Sequence, residues 1–198
     1  MKNFKISFLV ILTVFIFLIF TLNAVILFPG NYSPLNNYLS DLGNSSYNST
    51  GYLFFNLGCI ITGMLLILFF YNLKKYFKPV PPRHKLLIIS QIVGIYASFS
   101  LIMVGVFSED YGFIHWIWSA SFFTSLMITL ILININILKD PQFTNKIAYY
   151  GFFVVIINLC FIIIYLLKIW DLTPLFEWIT VILSLGWLLL IAYNFSSY

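Results

Sequence analysis

The chain has 198 residues, of which 62% are hydrophobic, 20% aromatic and 8% charged. A soluble domain of this size covers its surface with about 25% charged residues, so this composition excludes the water-soluble enzyme classes and fits a chain solvated by lipid. Two cysteines, Cys59 and Cys160, are too few for a disulfide framework, and without a CxxC, HExxH, GxGxxG or Walker-type loop the redox, zinc-protease and nucleotide-binding readings lose their usual support.

In chain order, six apolar runs cover residues 6–28, 52–73, 86–107, 113–138, 146–167 and 174–195. Each exceeds the roughly 20 residues a helix needs to cross about 30 Å of hydrocarbon. Charge within the runs is confined to their ends, at His115, Lys146 and Glu177. The first run follows Lys2 and Lys5 as a signal peptide would. It is longer than the ~7–15-residue core of a signal and no small-x-small cleavage site follows, so it reads as a retained helix. The expected fold is therefore all-α: one polytopic domain over 1–198, a bundle of six transmembrane helices with a short amphipathic outer helix.

The net charge of +4 conceals a segregation. Lys2, Lys5, Lys74, Lys75, Lys78, Arg83, Lys85, Lys139 and Lys146 fall on one side of such a bundle, and Lys168 alone on the other. Asp41, Glu109, Asp110, Asp171 and Glu177 fall on the side of Lys168. The positive-inside rule then predicts a multi-pass protein of the cell membrane with both termini cytoplasmic. The basic loop 74–85, with Pro79, Pro81 and Pro82, reads as the positive-inside anchor, with His84 a solvated interfacial residue. Nucleic-acid binding is not indicated, because no recognition-fold signature accompanies the charge.

The long connection at 29–51 is rich in Asn, Ser, Gly and Tyr. Ser33 as N-cap, Pro34 at the first helical position and Gly43 as a stop predict a short helix. On a helical wheel Leu35, Tyr38, Leu39 and Leu42 share its apolar face, and Asn36, Asn37, Ser40 and Asp41 its polar face. The triplets beginning at Asn31, Asn44 and Asn48 have the glycosylation pattern and agree weakly with an exterior loop.

The stretch Tyr38-Leu39-Ser40-Asp41-Leu42-Gly43 resembles the ISDLG-like hallmark of an uncharacterised membrane family catalogued as domain of unknown function 998. The likeness continues in order through Phe54-Phe55-Asn56-Leu57 with Gly63, then Gly105-Val106-Phe107, Glu109, His115, Ser119 and Phe122-Phe123. It covers about 29–123; the last two runs match only in being apolar. The resemblance implies a six-helix membrane fold and no agreed activity.

Ionisable residues in a membrane are functional candidates by default. Ser40, Asp41, Glu109, His115 and Asn56 all fall toward the outer ends of the predicted elements, and they form the candidate ligand-binding set. Three arrangements are compatible with them. Asp41 or Glu109 could orient His115 to activate Ser40 or a water for lipid hydrolysis or acyl transfer. His115 with Asp41 and Glu109 or Asp110 could hold a divalent cation, although a single histidine suits zinc poorly. Asp41 and His115 could instead clamp the outer helix to the bundle, with Glu109 and Asp110 capping a helix start. Glu177 reads as a helix-start acid after Thr173-Pro174.

The cysteines read as free thiols. Ser119, Ala120, Ser121 and Ser125, and Gly58 and Gly63, read as close-contact surfaces. Trp116, Trp118, Trp170 and Trp178 read as an interfacial belt.

The leading expectation is an outward-facing polar pocket for a lipid head group or similar amphiphile. The alternatives are a membrane-embedded lipid hydrolase or transferase using Asp41 and His115, and a structural subunit of a larger membrane complex. Membrane lipids are the expected partners, with a membrane-protein partner or a homo-oligomer under the third alternative. No cofactor and no metal are called for.

Overall fold

A computed structural model describes the backbone of residues 2–77 and 83–196 and the side chains of 6–77 and 85–196. Lys2, Lys5, Lys78, Pro79, Pro81, Pro82, Arg83 and His84, on which the basic-face reading partly rests, lie outside the described side chains. Six helices account for the architecture: α1 (Lys2–Ile26), α2 (Tyr52–Asn72), α3 (Arg83–Val106), α4 (Phe113–Leu138), α5 (Asn145–Leu166) and α6 (Thr173–Ser196). Each is long and apolar enough to cross a membrane. The helical state follows from the solvent, since hydrocarbon offers no partner for a backbone N–H or C=O and a helix satisfies both internally.

Every helix packs on its neighbours in chain order, and α6 returns against α1, so the six close a ring. Small residues set the close approaches. A Cβ added to Gly63 would come within 2.7 Å of the Ser98 carbonyl, so α2 and α3 meet backbone to backbone there.

The end that carries the termini is filled. Phe69, Leu73, Leu130, Ile133, Ile137, Trp187 and Ile191 form a continuous core across α2, the turn that follows it, α4 and α6. Phe143 stacks on Phe77 with ring centroids 4.7 Å apart and meets Phe195 edge-on. A second core at the far end gathers Phe17, Phe55, Cys59, Leu101 and Val104 beneath Leu39 and Leu42. Both cysteines are free.

The connection between α1 and α2 differs from the expected continuous helix. Its helical part is a single 3₁₀ turn, Ser40–Gly43, preceded by a separate turn in which the Asn36 and Asn37 N–H groups donate to the Ser33 carbonyl. Local side chains interrupt the run: Asn37 Oδ1 accepts from the Ser33 N–H, and Asp41 Oδ2 from the Tyr38 N–H at 2.9 Å. The amphipathic partition fails with it. Asp41 is 7% exposed, close to Leu39 and Leu42, while Leu35 is 59% exposed. Asn48 is fully buried and donates to the Ala24 and Leu42 carbonyls, so its glycosylation-type triplet is a structural tie with no room for a sugar.

Candidate functional site

Residues 38–43 are fixed from three sides. Asp41 accepts from Tyr38 N–H, and the Tyr32 hydroxyl donates to the Tyr38 carbonyl at 2.8 Å. Tyr32 in turn accepts from the Trp178 indole at 2.9 Å, which ties this segment to α6. Glu177 Oε2 accepts from the Leu39 N–H at 2.8 Å, and the Glu177 carboxyl also takes the Ser40 N–H. Asn56 Nδ2 donates to the Gly43 carbonyl at 3.0 Å. Gly43 is packed so closely on Asn56 and Phe55 that an added Cβ would collide with both side chains.

The turn between α3 and α4 (Glu109–Tyr111) meets this segment. Asp110 accepts from the Ser45 N–H and hydroxyl and from the Ser108 hydroxyl. Those bonds outweigh its slight burial and hold its carboxyl below the usual range. Glu109 faces Asp41 carboxyl to carboxyl. Burial, and then the Asp41 charge, push Glu109 up to about 7, and burial raises Asp41 as well. Glu109 Oε2 is buried with no N–H or O–H donor. One proton held between the two carboxyls relieves their repulsion, because like charges this close cannot both ionise cheaply.

His115 stands in the first turn of α4. Its Nδ1 lies 2.7 Å from the Phe107 carbonyl and its Nε2 3.1 Å from Ser119 Oγ. A carbonyl can only accept, so Nδ1 carries the proton and Nε2 accepts from the Ser119 hydroxyl. Both ring nitrogens are thus engaged, and the expected Asp41–His115 clamp is replaced by a Phe107–His115–Ser119 chain.

These groups border a cavity of about 1080 Å³ between the far ends of α4, α5 and α6. Ser40, Glu109, His115, Ser119 and Glu177 line its polar part, and Phe123, Phe161 and Ile162 its apolar part. Trp116 and Trp170 at the rim are 42% and 52% exposed. A smaller cavity of about 90 Å³ lies toward the middle of the ring and shares Ser40, Ser119, Phe123 and Glu177 with the larger one. Ser119 and Ala120 therefore face open space, contrary to the expected helix contact.

Of the five sequence candidates, Ser40, Glu109 and His115 meet at the cavity; Asp41 stands behind Glu109, and Asn56 holds Gly43. Ser119 and Glu177 were read for other roles, as a small residue and as a helix-start acid. A signal for Ser119 was present, since a serine four residues after a histidine shares its helix face. Glu177 had none, because its partners lie 138 and 137 positions away. Among the described residues no group of three or more His, Cys, Asp or Glu side chains is disposed to hold a metal.

Comparison with known proteins places the chain in one family. The family described as "Protein of unknown function (DUF998)" matches residues 11–194, and the chain belongs to it. No curated protein and no solved structure matches it.

Proposed function

We propose that this member of the DUF998 family is a multi-pass protein of the cell membrane, with cytoplasmic termini, whose far-end cavity binds an amphiphile with a basic head group. The observation that carries this reading is the two-part lining. The Asp171 carboxylate, the Glu177 carboxyl, the Glu109 carboxyl that shares a proton with Asp41, and the rings of Tyr38, Trp116 and Trp170 border the space, and no Lys or Arg does among the described residues. An acidic, aromatic rim favours an ammonium-type group and repels an anionic one. The apolar part beneath takes a hydrocarbon chain, and the volume is of the order of ligand pockets, about 300–1,000 Å³. The orientation follows from the Lys and Arg asymmetry.

The test is native mass spectrometry of protein released in mild detergent. An amine-bearing lipid retained by the wild type and weakened or lost in Ala120→Trp, which places an indole inside the cavity, is the expected result. Absence of any retained amphiphile, or retention unchanged by the obstructed cavity, overturns the reading.

A further inference from the structure

We propose that Ser119 and His115 form a nucleophile–base pair that is acylated by an ester-linked amphiphile; the substrate class rests on the cavity reading above.

The helix serines give the comparison. Ser90, Ser98, Ser100, Ser125 and Ser184 each donate to the carbonyl four residues back, the usual way a helix hides a hydroxyl from lipid. Ser119 departs from that pattern. Its hydroxyl is directed to His115 Nε2 at 3.1 Å, and it lines the large cavity. His115 is oriented in turn by the Phe107 carbonyl at 2.7 Å, which fixes the tautomer whose Nε2 has a free lone pair. Nucleophile, base and orienting group thus stand in a chain, the arrangement that activates a serine hydroxyl. In place of a carboxylate the orienting group is a backbone oxygen. Ser40, the hydroxyl suggested by the sequence, lines the same cavity, but the His115 nitrogens are already engaged by Phe107 and Ser119.

In the first step Ser119 Oγ bonds to the acyl carbon while its proton passes to His115 Nε2. The ester C–O bond then breaks, and Nε2 returns the proton to the departing alcohol oxygen. In the second step water entering at the exposed rim attacks the acyl-serine, giving its proton to Nε2. The serine oxygen leaves with that proton, releasing a carboxylic acid and restoring the pair. Each stage conserves protons, and water is the co-reactant.

The test treats the full chain in detergent with two serine-directed reagents, diisopropyl fluorophosphate and a hexadecyl fluorophosphonate, and maps the adduct by peptide mass spectrometry. The expected result is a phosphoryl or phosphonyl adduct on Ser119. The rate should fall about 100-fold in His115→Gln, the lower bound for losing a general base, and the adduct should vanish in Ser119→Ala. Wild-type protein with no Ser119 adduct from the small reagent overturns the pair, as does a rate unchanged in His115→Gln, and neither result bears on retained lipid. Ser119 labelling by the small reagent alone supports the pair and overturns the amphiphile reading.

Discussion

The two ends of the ring differ in what their polar residues face. At the terminal end the amides tie helices together. Gln91 donates to the Phe70 and Tyr71 carbonyls, Trp187 donates to Asn134, and Asn194 donates to the Gln142 carbonyl. These groups sit in a packed core, where each amide cross-links elements lipid would otherwise let slide. At the far end amides also tie elements together, Asn48 to the Ala24 and Leu42 carbonyls and Asn56 to the Gly43 carbonyl, but there carboxylates, an imidazole and hydroxyls border a cavity as well. An amide keeps its charge state whatever surrounds it, whereas a carboxyl in a nonpolar site changes protonation or needs a compensating partner. Only the far end therefore combines groups that hold the fold, such as Glu177 on the Leu39 N–H, with titratable groups that face open space.

Substitutions at the two ends sharpen this contrast. The largest effect is expected for Trp187→Ala at the filled end. Trp187 is 1% exposed, and removing a buried Trp from a close-packed interior costs about 3–5 kcal/mol. The unfolding midpoint in detergent should drop steeply while the proposed amphiphile retention per folded molecule stays at the wild-type level. If retention falls in proportion to the number of rings removed at this end, the division between the ends is wrong.

An intermediate effect is expected for Glu177→Leu, which strands the Leu39 and Ser40 N–H groups. An unpartnered buried N–H costs about 1–3 kcal/mol. Glu177→Gln keeps an acceptor oxygen, so most of the stability should return. Proteolysis of the loop at 27–51 reads this out, with fast cleavage for the leucine variant and near wild-type resistance for the glutamine variant.

The smallest and most diagnostic effect is the pH dependence of the Asp41–Glu109 pair. Burial and the Asp41 charge hold Glu109 at about 7 against an ordinary 4.5, so the folded chain binds a proton the unfolded chain releases. Stability from this group is complete below about 4.5 and is lost as pH rises toward about 7. The neighbouring Asp110 carboxylate acts in the same direction on Glu109. Unfolding midpoints measured across that window should decline for the wild type and flatten for Glu109→Gln. An unchanged slope in the variant removes the shared proton.

Much of this architecture was legible residue by residue. The run 113–138 coincides with α4, and the other five runs agree with their helices to within a few residues. Hydrocarbon thickness sets a length that apolar runs must meet, so the signal is strong. The loop at 29–51 was less legible because its polar side chains compete with the backbone for hydrogen bonds. Asp41 looked solvent-facing on a wheel and is instead turned inward by Tyr38 N–H and the Glu109 carboxyl.

By itself, then, the sequence determined the six helices, the family and the gathering of Ser40, Glu109 and His115 toward one end of the bundle. The helices follow from composition and run length, the family from the motifs around Asp41, Asn56 and His115, and the gathering from order along the chain. Tertiary structure decided which groups meet. The closing of α6 on α1 carries Glu177 to the Leu39 amide. The separation of α4, α5 and α6 at their far ends opens the cavity, and the turn before α4 supplies the carbonyl that orients His115 toward Ser119. The physical reason is that hydrophobicity is read one residue at a time, while a hydrogen bond or a cavity exists only between elements already in place.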